Sequence, residues 1–251
     1  MLEVKSLAAR RGSFHLSVDR WRVDAGEVNA VLGTNGAGKS SLFGVLAGDS
    51  SYSGSITLHG RSLGDWPRQA LARHLGVLLQ QAELSFSFTA AEVVALGLIP
   101  LQVGWREGMA RVRDALEQTD SGHLADRAYP GLSGGERQRV NLARVLLQLS
   151  EAESPPLLLL DEPTSAQDLG HQHSLLQLAS DYASERGWGV VAILHDLNLA
   201  LRYADRCLLL DRGMVAADGT PESVLSPEQV HRFWGYEPQR LVGADHGFAL
   251  I

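Results

Sequence analysis

Gly33-Thr34-Asn35-Gly36-Ala37-Gly38-Lys39-Ser40 is the stretch on which the fold turns. It fits the pattern G-x-x-x-x-G-K-[ST] at every fixed position, and the apolar run Val28 to Leu32 leads straight into it. The glycines permit backbone angles that a Cβ forbids, so that main-chain N–H groups can close on phosphate oxygens. Among 22 lysine and arginine residues only Lys5 and Lys39 are lysines. An ammonium is a compact point charge that reaches between two phosphates, whereas a guanidinium is a broad planar fork. The Ser40 hydroxyl is placed to ligate Mg²⁺. Gly33, Asn35, Gly36, Ala37, Gly38, Lys39, Ser40 and Ser41 are the candidate phosphate-binding residues. The plainer reading is a glycine-rich turn before a helix; the lysine and hydroxyl at fixed spacing argue against it. The stretch implies a strand–loop–helix unit that binds a nucleoside triphosphate.

Working outward, Leu157 to Leu160 and Val190 to Leu194 are unbroken apolar runs that end in polar residues, as buried parallel strands do. The first ends in Asp161-Glu162-Pro163. A buried strand delivers both carboxylates to the sheet edge where open parallel sheets bind ligands. Asp161 suits the Mg²⁺ shell, and Glu162 suits taking a proton from water attacking the γ-phosphate. Acidic pairs after a strand are usually turns or caps, but the upstream phosphate loop reverses that weighting. Residues 1–25 and 54–60 read as short strands, Leu75 to Leu79 as another, and Leu175 to Ser184 as a covering helix. From about 84 to 150 the pattern turns helical, with Glu92 to Leu98 and Met109 to Gln118 as examples. Leu208 to Asp211 and Met214 to Ala217 flank a turn at Arg212-Gly213, and Thr220-Pro221 reads as a capped helix start. Ser150 to Pro156 reads as a loop and subdomain joint.

The chain of 251 residues is long enough for a sizeable core. A net charge of −7 argues against a nucleic-acid partner, which calls for a basic face. Cys207 is the single cysteine, beside Leu208 to Leu210, and points to a reducing compartment without disulfides. The N-terminus lacks the apolar core of a signal peptide, and no uncharged apolar run approaches the roughly 18 residues of a membrane span. His171 and His173 stand two apart, on different helix faces, and make a poor metal pair.

Leu132-Ser133-Gly134-Gly135-Glu136-Arg137-Gln138 opens a helix over Arg137 to Leu149. Serine and two glycines at a helix N-terminus expose N–H groups and about half a positive charge, a second anion site in one chain. A serine-capped helix is the commoner meaning of such a stretch alone. With the phosphate loop it resembles the nucleotide-binding subunit of an ABC transporter, over essentially the whole chain. The resemblance implies one domain, 1–251: a P-loop NTPase α/β core with a mostly parallel sheet and flanking helices. It adds an N-terminal antiparallel β subdomain and a helical signature subdomain inserted at about 84–150. It also implies ATP and Mg²⁺ as ligands, and a head-to-tail homodimer sandwiching two ATP molecules. Leu132, Ser133, Gly134, Gly135, Glu136 and Gln138 would then meet the partner's ATP, with Ser133 and Gly135 clasping its γ-phosphate.

The same resemblance gives Gln80 the role of sensing Mg²⁺ and the attacking water, with Gln81 as the adjacent alternative. Glu162 and His195 join Gln80 as catalytic residues, and Ser40, Gln80 and Asp161 as the Mg²⁺ set. Ser165-Ala166-Gln167-Asp168 resembles the D-loop, with Asp168 crossing the dimer and Gln167 replacing the usual leucine. Thr34 replaces the usual proline. The aromatic that stacks on adenine in the family would fall near Ala9, where there is none; Phe14 stands as a substitute. Within the family the chain is similar to ATPase subunits of bacterial hemin (heme) importers, relatives of vitamin B12 and iron-siderophore importers. Asp65-Trp66, Ala70 to Arg73, Leu84 to Thr89, Glu92 to Gly97, His123 to Tyr129, Asp161 to His173 and His195 to Ala200 carry that likeness. It implies ATP-driven hemin uptake across a bacterial inner membrane, or vitamin B12 or siderophore uptake in its place. The chain would lie peripherally on the cytoplasmic face, bound to two transmembrane permease subunits and served indirectly by a periplasmic heme-binding protein.

Overall fold

Burial alternates along β1 (Leu2–Arg11) and β2 (Phe14–Val23), and a two-residue turn at Gly12-Ser13 folds one antiparallel onto the other. Next, β3 (Val28–Leu32) is buried at all five positions and runs into the phosphate loop and α1 (Lys39–Leu46). β4 (Tyr52–Leu58) and the short β5 (Arg61–Ser62) follow. Then come α2 (Arg68–His74), β6 (Leu75–Leu78), α3 (Ala90–Ala95), α4 (Trp105–Gln118), α5 (Gly134–Leu149) and β7 (Leu157–Leu160). After α6 (Leu169–Arg186) the chain makes β8 (Gly189–Ile193), α7 (Leu197–Tyr203), β9 (Arg206–Asp211) and β10 (Met214–Gly219). It closes with α8 (Pro221–Val224), α9 (Pro227–Trp234) and a small hairpin of β11 (Arg240–Val242) and β12 (Phe248–Leu250). This computed structural model describes residues 1–80, 87–165, 168–242 and 248–250. Gln81, Leu84, Ser85, Phe86, Ala166 and Gln167, all named above, lie outside the described residues.

The chain divides into two units, Met1–Asp65 with Leu176–Ile251, and Trp66–Leu175. In the first, the strands lie in the order β5-β4-β1-β2-β10-β9-β3-β8. The β1, β2, β4 and β5 pairs are antiparallel, whereas β3 runs parallel to both β8 and β9. This explains the two hydrophobic patterns: β1 and β2 have one wet face and alternate, while β3 and β8 are covered on both faces and do not. In the second unit β6 and β7 pair in parallel. The four leucines of β7 are each 1% exposed or less, and removing one side chain to alanine would cost about 2–5 kcal/mol. A separate helical core gathers Val93, Val94, Val112, Leu116, Leu124, Tyr129, Leu132, Val140 and Leu147. The fold is α/β, a mixed sheet with flanking helices.

Several boundaries differ from the sequence reading. α3 stops at Ala95, and Leu96–Leu98 tightens into a 3₁₀ turn where a Cβ on Gly97 would stand 2.5 Å from the Arg144 carbonyl oxygen. α4 starts at Trp105 and α6 extends over Leu169–Arg186, both beyond their periodic cores. Thr220 precedes α8, yet its hydroxyl caps nothing; Ser223 Oγ instead donates to the Thr220 carbonyl.

Candidate functional site

In the first unit the phosphate loop joins β3 to α1 through glycines with φ of +146° at Gly33, +81° at Gly36 and +111° at Gly38. Left-handed angles of this kind let backbone N–H groups of a loop converge on an anion, and an alanine would adopt them only with strain. Lys39 is buried to 6% exposure, and its ammonium donates to the Gly33 carbonyl at 2.7 Å and the Thr34 carbonyl at 3.1 Å. The charge is therefore folded back over its own loop. Ser40 stands in the first turn of α1 with Ser41 beside it, at the positive end of the helix.

The loop is braced from a distant part of the sequence. Gly213, in the β9–β10 turn, donates its N–H to the Ala37 carbonyl at 2.9 Å and accepts from Ser17 N–H at 2.7 Å. Leu208 and Leu209 of β9 pair with Val31 and Leu32. Beside the loop lies a cavity of about 370 Å³ lined by Thr34 to Ala37, Asp211, Arg212, Arg232 and Phe233. The sequence reading named none of the last four as site residues; Asp211 and Arg212 stand at the turn it read, and nothing local marks Arg232 or Phe233. His195 is exposed two residues past the end of β8, whose parallel pairing with β3 puts it at the same sheet end as the loop. The next residue, Asp196, caps α7 by accepting from Asn198 N–H and Leu199 N–H. Phe14 is half-buried, and a Cβ on Gly38 would stand 3.0 Å from its Cζ.

In the second unit β7 delivers Asp161 and Glu162 as the reading expects, and Asp161 N–H donates to the Leu78 carbonyl on β6. Gln80, just past β6, donates from Nε2 to Glu162 Oε2 at 2.6 Å. Glu162 adopts φ of +48°, a left-handed angle that costs a non-glycine residue about 1 kcal/mol or more. Its carbonyl accepts from both the N–H and hydroxyl of Ser165, which holds that turn.

α5 starts at Ser133, whose hydroxyl accepts from Glu136 N–H while the Glu136 carboxylate accepts from Ser133 N–H at 2.7 Å. That backbone donor, ahead of the Ser133 hydroxyl and Arg127, holds the Glu136 carboxyl below its ordinary range. Leu132 belongs to the helical core at 2% exposure. Gln138 is buried too, and its Nε2 donates to the Pro163 carbonyl at 2.6 Å. Leu132, Glu136 and Gln138 are thus occupied in placing the helix, and exposed Ser133 and Gly134 with half-buried Gly135 make its open end. Gln138 also ties α5 to the turn carrying Glu162, a link the sequence reading missed. Asp168 caps α6 by accepting from His171 N–H at 3.0 Å, and His171 Nδ1 stands 2.9 Å from the same carboxylate. The His171 backbone N–H, then its ring, lowers the Asp168 carboxyl.

The family model described as ABC transporter matches residues 16–165. The chain belongs to the ABC transporter family. Curated members include a hemin import ATP-binding protein of Shewanella denitrificans, 49% identical over 91% of this chain and 91% of its own length. The protein of the same description from Pseudomonas entomophila is 49% identical over 100% of this chain and 99% of its own. That from Vibrio cholerae is 50% identical over 87% and 84%. Among solved structures, a part of an ABC transporter complex from Clostridium perfringens superposes with a TM-score of 0.77 at 29% identity, covering 92% of each chain. A dimeric bacterial ABC transporter cassette gives 0.77 at 26% identity, covering 88% of this chain and 99% of that one. Among the described residues no helix is long and apolar enough to cross a membrane.

Proposed function

We propose that this chain is the ATP-hydrolysing subunit of an ABC importer that takes up hemin. The observation that carries the reading is 49% identity, along the full chain, to a hemin import ATP-binding protein. The chemistry of both units supports it. The phosphate loop offers inward N–H groups and the Lys39 ammonium to the β- and γ-phosphates. Glu162 takes the proton of the attacking water, and the Gln80 amide orients that carboxylate through their hydrogen bond. His195, exposed past β8 at the same sheet end as the loop, would contact the γ-phosphate.

Ser40, Asp161 and Gln80 are the residues that would hold Mg²⁺. Hydroxyl, carboxylate and amide oxygens are the hard donors such an ion takes, with phosphates and water completing its shell. Bound there, Mg²⁺ neutralises charge developing on the phosphates. The exposed N-terminus of α5 presents Ser133, Gly134 and Gly135 to nucleotide held by a second copy, so two chains close on two ATP molecules. Closure then acts on two permease subunits in the inner membrane, with this chain peripheral on the cytoplasmic side.

Co-reconstitution with its permease in lipid vesicles tests this. Hemin delivered by its periplasmic carrier should raise phosphate release, and Glu162→Gln should abolish that release while ATP-bound dimers accumulate. Stimulation by vitamin B12 or a ferric siderophore, with none by hemin, would move the assignment to those importers. Near wild-type hydrolysis by Glu162→Gln would remove Glu162 as the base.

A further inference from the structure

We propose that Gln138 and Gln172 are positioning residues that keep the Glu162 carboxylate aimed for hydrolysis, by fixing the backbone on which it stands. The proposal rests on the reading of Glu162 as the base and adds to it the two side chains that aim it.

The backbone at Glu162 needs to be held. Its φ of +48° is a left-handed angle that a Cβ disfavours. Pro163 adds to the difficulty, because the residue before a proline is driven toward an extended φ of about −120°. Left to itself, Glu162 would relax out of the left-handed region, and its side chain would swing with it. Gln80 does not prevent this, since its hydrogen bond grips the carboxylate and leaves the backbone angles free.

Three consecutive carbonyls of this turn each have a donor. That of Glu162 accepts from Ser165 N–H at 3.2 Å and from the Ser165 hydroxyl at 3.0 Å, both within the turn. The next two accept from outside it. Gln138 Nε2, on α5, donates to the Pro163 carbonyl at 2.6 Å, and Gln172 Nε2, on α6, donates to the Thr164 carbonyl at 3.0 Å. The helix before β7 and the helix after the turn thus grip adjacent peptide units with the same kind of donor. Both acceptors are carbonyls, so the amide end that faces each of them is the NH₂ group.

Burying Gln138 carries a cost that placing α5 does not require. The side chain is 6% exposed, and its Oε1 accepts from nothing among the described residues. A leucine would fill similar space on α5 and strand no polar atom. What an apolar residue cannot supply is the donor to Pro163, one residue beyond the carboxylate that does the chemistry.

Hydrolysis by the full chain with its permease in lipid vesicles, read beside ATP dissociation constants, tests the clamp. Rates are taken below each variant's unfolding transition, so that lost stability does not enter them. Gln138→Met keeps the length and removes the donor; it should lower kcat on the order of tenfold with ATP affinity near wild type. Gln172→Met should act in the same direction. Gln138→Glu keeps the shape and loses the donor while ionised. Its kcat relative to wild type should therefore rise as pH falls and the carboxyl regains a proton to donate, a recovery that packing alone does not give. An unchanged kcat in either methionine variant, a loss matched by an equal loss of ATP affinity, or a ratio that stays flat with pH overturns the clamp and leaves Glu162 as the base. Near wild-type hydrolysis by Glu162→Gln overturns the base and the clamp with it.

Discussion

Gly33 leaves β3 with φ of +146°, and a Cβ built there would run into the Leu210 carbonyl and stand 2.9 Å from the Ala37 Cβ. Neither neighbour can yield easily, since Leu210 belongs to β9 and Ala37 to the loop itself. Gly33→Ala should therefore cost on the order of 1–3 kcal/mol and lower ATP affinity, seen by urea denaturation and nucleotide titration. Stability equal to wild type would contradict the close approach. At this scale the sequence was most legible where chemistry demands a residue type. Lys39, Asp161 and Glu162 are such positions, because a cation or a carboxylate is needed there. Gly213 was legible as a turn residue but not as a brace of the loop, because what it contributes there is a backbone N–H, and any residue except proline has one. The left-handed angle at Glu162 was likewise unreadable, since glutamate gives no local sign of it.

Elements were legible in proportion to their burial pattern. β3 and β7 appear where their apolar runs do, because strands covered on both faces tolerate little else. The seven-residue α2 and α7 and the eight-residue α9 were not read as helices, being too short to show a period. At α5 the serine cap was legible, whereas the burial of Gln138 on Pro163 depends on a turn 25 residues later. The capping box makes α5 sensitive to acid. Hydrogen bonding holds the folded Glu136 carboxyl below its unfolded value. Its contribution is complete above the unfolded value and is lost as pH falls through the folded one. Denaturation of wild type and Glu136→Gln at stepped pH should show a stability difference near neutrality that shrinks toward acid. A difference independent of pH would mean that the carboxylate does not serve the cap.

On the scale of the molecule, Cys207 reports on global opening. It is fully buried on β9, and burial, aided by Glu222 and Asp218, pushes its thiol up to about 12. Keeping that thiol neutral stabilises the fold below the ordinary thiol value of 9.0 and ceases to do so as pH rises through about 12. At pH 8 a thiol reagent should label native protein only at the rate of unfolding, and rapidly in denaturant. Fast labelling of native protein would place the thiol at the surface. The overall architecture was readable because strand runs and motifs alternate in the expected order. The division at Trp66 and Leu175 was not, because no composition change marks either point. The support of the phosphate loop by β9 and Gly213 also has a consequence for biosynthesis. The ribosome makes the Gly33–Ser40 motif early, but the strand and turn that hold it taut emerge only after residue 205. A nascent chain thus displays its nucleotide motif through most of translation before it owns a finished nucleotide cradle.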